Sequence, residues 1–183
     1  HLGIDRGADL HPFLGYNFRI SELHAAVGLA QIKKLDTFLE LQKRNNQILR
    51  SYIEQAPGVN FRVVPDPEGD SFSFLSWFLP TQAKTEKVID AFKEAGILAG
   101  NFYWFANNWH YIRKWDHLKT SKSLYALSEA QQNALTGLQT ANFEKSDAIM
   151  SRCISTAISL VWTEEQVHEK GAKFLAVLKA TLS

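Results

Sequence analysis

Hydrophobic positions repeat with helical spacing in long stretches of the chain and form shorter apolar runs between them. Helical spacing runs from Leu23 to Ile53 and returns in residues 81–95, 146–155 and 163–182. Runs rich in Phe, Val, Ile and Trp predict four strands, at residues 59–65, 71–79, 97–104 and 154–160. The pattern predicts an α/β protein in which a few strands carry helices on one side.

Polar residues and turn formers indicate where the helices begin and end. Ser21 is placed to cap the first helix, and a kink or break is expected near residues 34–36. Thr163 and Gln166 have the spacing of a capping box for the last helix. Residues 119–140 have little periodicity and are interpreted as a surface insertion or a weak helix. We expect residues 1–55 to be the end of a larger domain with a long kinked helix, and residues 56–183 to form a small α/β domain.

Composition excludes several classes of function. The chain has 183 residues, of which 45% are hydrophobic and 21% charged, with a net charge of +1. This balance predicts no nucleic acid or anionic membrane as partner, and no apolar run has the length of a membrane span. The single cysteine, Cys153, excludes an internal disulfide, so it is expected to be a buried structural thiol in a cytoplasmic protein. Because the chain begins at His1 and its one methionine is Met150, we expect that either a preceding segment was removed or the chain is part of a longer protein.

Two stretches carry candidate chemistry. Asn17 and Arg19 precede a predicted helix start. An amide, a guanidinium and free backbone N–H groups at this position suit a phosphate or a carboxylate. An ordinary surface loop with a helix cap is the alternative. Residues 100–115 interleave aromatic rings with amides, which suits a polyol, but a core strand followed by a packed helix explains the same pattern. The six histidines have no metal-ligand spacing, and the chain contains no Gly-rich phosphate loop.

The run HPFLGYNFRISELHAAVGLAQ at residues 11–31 resembles the signature of the DegT/DnrJ/StrS-type sugar aminotransferases, which are pyridoxal phosphate (PLP) enzymes of fold type I. Residues 33–36, 151–155 and 160–166 resemble later segments of the same family, so the resemblance covers nearly the whole chain. It implies the C-terminal part of a fold type I transferase, namely the long helix followed by the small α/β domain.

The resemblance also implies functional residues. In the family, the asparagine here numbered Asn17 reaches the PLP phosphate of the partner subunit of a homodimer, and the arginine here numbered Arg19 lies on the substrate side. Tyr103, His110 and Tyr111 lie where family members contact the sugar. The implied reaction moves an amino group from glutamate to a keto or aldehydo sugar.

The family's Schiff-base lysine, the aspartate that pairs with the pyridine nitrogen and the ring-stacking aromatic all lie N-terminal to this motif. They would precede His1, so no catalytic residue is expected in this chain, and we expect it to be inactive alone. A non-catalytic module that binds a sugar or a partner is the alternative. Residues 65–71, 102–111 and 145–152 look more like the branch that aminates position eight of the octulosonic acid of bacterial lipopolysaccharide.

Overall fold

The computed structural model describes residues 20–106, 111, 115–139 and 141–183. The chain divides into two compact units, residues 1–38 and residues 39–183. This division falls inside a helix near its start, whereas the sequence suggested a boundary after residue 55; that domain assignment stays a prediction.

The first helices form where the sequence predicts them. Helix α1 spans Glu22–Ile32, and α2 spans Leu35–Ile53, so the expected break lies at residues 33–34. The Ser21 hydroxyl accepts the His24 backbone N–H at 3.3 Å, which caps α1. No residue of α1 is buried, and Leu23 is 74% exposed.

The second unit contains the C-terminal part of α2 and all the remaining described elements. They are β1 (Asn60–Phe61), β2 (Phe74–Phe78), α3 (Gln82–Glu94), β3 (Asn101–Phe102), a 3₁₀ turn (Trp104–Ala106), α4 (Asp116–Lys119), α5 (Glu129–Gln139), α6 (Glu144–Met150), β4 (Cys153–Ala157) and α7 (Glu164–Leu182). The segment predicted as an insertion or weak helix thus contains α5.

The four strands form one antiparallel sheet in the order β1-β2-β4-β3. Trp77 of β2 pairs with Ile154 of β4, and Phe102 of β3 pairs with Ser155. All four strands are shorter than predicted, β1 and β3 most of all. Pro65 follows β1 and supplies no ladder N–H, whereas β3 is followed directly by the 3₁₀ turn.

The core lies between the sheet and helices α2, α3 and α7. Its fully buried side chains include Trp77 of β2, Phe92 of α3 and Phe174 of α7, and the rings of Phe92 and Phe174 lie 4.8 Å apart. Burial of such rings is the main stabilising term of a small domain. Helical spacing gives α3 one apolar face with Val88, Ile89 and Phe92, and α7 one with Val167, Phe174, Leu175 and Leu178; both faces lie against this core. The predicted burial of Cys153 is confirmed.

Helix ends in this unit follow the predicted caps. Thr163 and Gln166 form the predicted capping box at the start of α7. Gly96 follows α3 with a φ of 68°, a conformation that favours glycine, and its N–H donates to the Lys93 carbonyl at 3.1 Å. Of the helices in the described ranges, none is both long and apolar enough to cross a membrane.

Two buried amides in α2 were missed by the sequence analysis. Asn45 donates to the Ser159 carbonyl at 2.9 Å, and Asn46 donates to the carbonyls of Phe72 and Phe74 at 3.4 Å. These bonds attach α2 to the start of β2 with the residues before it, and to the segment that follows β4. Asn46 lies three residues before Leu49 on the buried stripe of the helix, which was an available signal.

Candidate functional site

The aromatic segment of residues 101–111 begins at β3, and a chain of buried hydrogen bonds fixes its start. Trp77 Nε1 donates to Thr156 Oγ1 at 3.1 Å, and Thr156 Oγ1 donates to Asn101 Oδ1 at 2.6 Å. Asn101 Nδ2 donates in turn to the Ile97 carbonyl at 2.8 Å. The chain connects β2, β4 and β3, so it sets where the aromatic segment leaves the sheet.

Alternate residues of the segment form two groups of rings. Phe102 and Trp104 stack in parallel with their centroids 4.6 Å apart, and Phe74 of β2 lies 6.1 Å from Phe102. All three side chains are partly or well exposed. Their faces offer the apolar surface that the C–H face of a sugar requires.

The second group contains both tyrosines singled out from the sequence. The Phe105 ring lies 5.9 Å from Tyr103 and 5.9 Å from Tyr111, so the structure brings these residues together. The Tyr103 hydroxyl donates to the Ser151 carbonyl at 2.9 Å, and the Tyr111 hydroxyl donates to Asp147 Oδ1. Both bonds tie the segment to α6 and to the residue that follows it.

The environment of Tyr103 favours its neutral form. Burial raises the pKa of Tyr103 to about 12, and the negative charge of Glu86 adds to the shift. Tyr111 is 6% exposed. Both hydroxyl protons are therefore used within the protein, where the two bonds hold the aromatic segment in place. The expected contact of these tyrosines with a sugar stays a prediction.

A polar cavity lies beside this attachment. It has a volume of about 420 Å³, and its lining includes Lys119, Asn142, Glu144 and Asp147. Asn142 Oδ1 accepts the Glu144 backbone N–H at 2.8 Å, which orients its amide. A pocket with amide, ammonium and carboxylate groups next to aromatic rings has the chemistry of a polyol site.

The remaining predicted site residues, Asn17, Arg19 and His110, lie outside the described residues. Two further residues of the site, Asp147 and Ser151, hold the two tyrosines and are not among the residues predicted from the sequence. Ser151 acts through its backbone carbonyl, so its side-chain type carried no signal. Asp147 lies in the segment 145–152 that resembles one branch of the family, but only the fold places it against Tyr111.

Lys170 is a described lysine with a lowered pKa. Burial, followed by the nearby charge of Lys173, lowers the pKa of Lys170, as a Schiff-base lysine would require. Its ammonium, however, lies over the rings of Trp162 and Phe174, at 4.9 Å and 5.5 Å from their centroids. No cluster of His, Cys, Asp or Glu that could hold a metal occurs in the described part of the chain.

Comparisons with known proteins place this geometry in context. Residues 2–173 match the model of the DegT/DnrJ/EryC1/StrS aminotransferase family. The lipopolysaccharide biosynthesis protein RfbH of Salmonella typhimurium (strain LT2) is 37% identical over 68 residues, which is 37% of this chain and 15% of RfbH.

The crystal structure of 3-amino-5-hydroxybenzoic acid (AHBA) synthase superposes with a TM-score of 0.58 at 19% identity, over 93% of this chain and 42% of the synthase. This likeness shows a shared fold and confirms the predicted α/β fold class of the fold type I transferases. The chain thus spans less than half of either protein. Because the family match covers nearly its whole length, the chain belongs to the DegT/DnrJ/EryC1/StrS aminotransferase family.

Proposed function

We propose that this chain is the C-terminal portion of a PLP-dependent aminotransferase that transfers an amino group from glutamate to a keto or aldehydo sugar. The observation that carries the proposal is the family match over residues 2–173. The parent protein acts in the cytoplasm as a homodimer, in which Asn17 contacts the PLP phosphate of the partner subunit.

The aromatic segment supports a sugar as the acceptor. The stacked rings of Phe102 and Trp104 suit the C–H face of a sugar, and the polar cavity beside Asp147 suits its hydroxyls. Tyr103 and Tyr111 position these rings through their bonds to the Ser151 carbonyl and Asp147, and His110 lies between them in sequence. In this proposal, the chemistry at the cofactor is carried out by residues beyond the described ones.

For the substrate we propose 8-oxo-octulosonate, an intermediate of lipopolysaccharide synthesis. This sugar is an acid that carries no nucleotide when it is aminated, so Arg19 would meet its carboxylate. The partial similarity to RfbH, a lipopolysaccharide biosynthesis protein by its name, supports this assignment.

The experiment compares two proteins, this chain and the longest in-frame product of its coding DNA. Each is mixed with PLP, glutamate and the keto sugar, and 2-oxoglutarate is measured with a coupled dehydrogenase. We expect the longer product to bind PLP and form 2-oxoglutarate, and this chain alone to form none. If the longest product lacks activity on every keto sugar tried, the alternative, a non-catalytic sugar- or partner-binding module, replaces the proposal.

A variant tests the substrate assignment separately. Arg19→Gln in the longer product should raise KM for the sugar acid at least about tenfold, because it removes a charge-assisted pair. KM for a neutral keto sugar and for glutamate should change little. An equal rise in KM for neutral and acidic sugars would refute the carboxylate role of Arg19.

A further inference from the structure

A larger cavity lies in the second unit, between the C-terminal part of α2 and residues 59–72. Its volume is about 580 Å³, within the range of small-molecule sites. It is lined by Arg50, Glu54, Val59, Asn60, Phe61, Arg62, Val63, Val64, Pro67, Asp70 and Phe72. None of these residues belongs to the aromatic segment that the proposed function uses.

One wall of the cavity carries an arginine held in place by an aromatic ring. The Arg50 guanidinium carbon lies 4.1 Å from the centroid of the Phe61 ring, a cation–π contact. Such a contact uses the face of the guanidinium and leaves the N–H donors at its edge available. Within the described residues, no hydrogen bond or ion pair to the Arg50 side chain is formed, so a ligand would meet oriented donors.

The other charges of the cavity do not neutralise Arg50. Asp70 pairs with Arg62, with 3.6 Å between Oδ2 and Nη2, and its Oδ1 accepts the Phe72 backbone N–H at 3.0 Å. Glu54 lies four residues after Arg50, and both residues are exposed, but the two side chains form no ion pair in the described residues. The oriented free group in the cavity is therefore a cation.

The remaining lining is largely apolar. Phe61 and Phe72 contribute rings, and the segment from Val63 to Pro67 contributes aliphatic surface. Val63 is 85% exposed, so covering it would remove apolar surface from water. A ligand that satisfies both parts of the cavity needs an anionic group and an apolar body.

We propose that this cavity binds a small organic anion, in which a phosphate or carboxylate is bound by Arg50 and an apolar or aromatic body contacts Phe61, Phe72 and Val63. Arg62 supplies further donors beside its pair with Asp70. This binding site goes beyond the proposed aminotransferase function, and it does not depend on that function.

The test is isothermal titration calorimetry of the full 183-residue chain. Phenyl phosphate and benzoate are the two anionic probes, inorganic phosphate tests the anion without a body, and benzyl alcohol tests the body without a charge. We expect phenyl phosphate or benzoate to bind at millimolar or lower concentration, and each partial probe to bind at least about fivefold more weakly. The stronger of the two anionic probes identifies the anionic group.

Three variants locate the site. Arg50→Gln should weaken the better anionic probe about tenfold, because it removes the charged donor. Glu54→Gln should strengthen the same probe about two- to threefold, because it removes a nearby like charge. Lys170→Gln is the matched control: it also removes a cation that lies over aromatic rings, but it does not line the cavity, so affinity should stay within about twofold.

Thermal melts of each variant establish that it folds. The proposal is overturned if neither anionic probe binds at concentrations up to about 10 mM. A dissociation constant above that value corresponds to a binding free energy smaller than about 3 kcal/mol. It is also overturned if Arg50→Gln and Lys170→Gln change affinity equally, or if benzyl alcohol binds as well as the anions. Loss of transaminase activity in the longer product would not bear on these titrations.

Discussion

Thr156 is the centre of the buried hydrogen-bond chain that fixes the aromatic segment, and removing its hydroxyl tests that chain directly. Thr156 is fully buried, accepts from Trp77 Nε1 and donates to Asn101 Oδ1. Thr156→Val keeps the shape of the side chain but leaves one donor and one acceptor without this partner. Each unsatisfied buried group costs about 1–3 kcal/mol, so we expect a loss of about 3 kcal/mol in the free energy of unfolding.

Thr85→Val is the matched control. Thr85 is also fully buried, and its hydroxyl donates to the Thr81 carbonyl at 3.0 Å. That carbonyl also accepts the Thr85 backbone N–H at 3.1 Å, so it keeps a partner after the substitution. Because no buried group is left unpaired, we expect a loss below about 1 kcal/mol.

Urea unfolding followed by circular dichroism measures both variants. With an m-value of about 2 kcal/mol/M, Thr156→Val should lower the urea midpoint by about 1.5 M and Thr85→Val by less than about 0.5 M. The m-value should stay constant, since both substitutions leave the buried surface unchanged. We attribute the loss of stability to the groups left unpaired at Trp77 and Asn101, and not to the missing hydroxyl itself. Equal midpoint shifts for the two variants would refute this attribution.

Three further predictions concern packing and titration. A Cβ at Gly171 would lie 2.7 Å from Tyr52 Cγ, so Gly171→Ala should lower the melting temperature by an amount equivalent to about 1–3 kcal/mol. A Cβ at Gly137 would lie in open space, so Gly137→Ala should raise the melting temperature slightly. Folding raises the pKa of Tyr103 from its ordinary value of 10.0 to about 12, so the unfolded state loses this proton at a lower pH than the folded state. Stability should therefore fall between pH 10 and 12, and less steeply in Tyr103→Phe, as urea titrations at each pH would show. The Cys153 thiol is buried, and burial raises its pKa. A thiol reagent should therefore label Cys153 only as fast as the chain unfolds. Rapid labelling of the native protein would contradict this burial.

Helix boundaries were predictable because their signals are local. The Ser21 cap, the break before α2 and the capping box of Thr163 and Gln166 each depend on residues within one helical turn. The stripe of Val167, Phe174 and Leu178 follows from the helical period alone.

The strands were harder to predict, because their lengths depend on pairing with distant residues. Residues 97–104 have the composition of a long strand, yet only Asn101 and Phe102 pair with β4. The sheet order puts β4 between β2 and β3, although β4 follows both in the chain. Neither periodicity nor turn residues encode that order.

The candidate site shows the same division. Its aromatic composition and its tyrosines were visible in the sequence, as was the family motif, because residue type and spacing are properties of the chain itself. The partners were not visible: Tyr103 is held by a backbone carbonyl 48 residues away, and Asn101 is fixed by Thr156 from 55 residues away. Likewise, only folding brings Arg50 of α2 over the ring of Phe61. Hydrogen bonds and ring contacts act over a few ångströms, so they depend on where the folded backbone places each group and not on its distance along the chain.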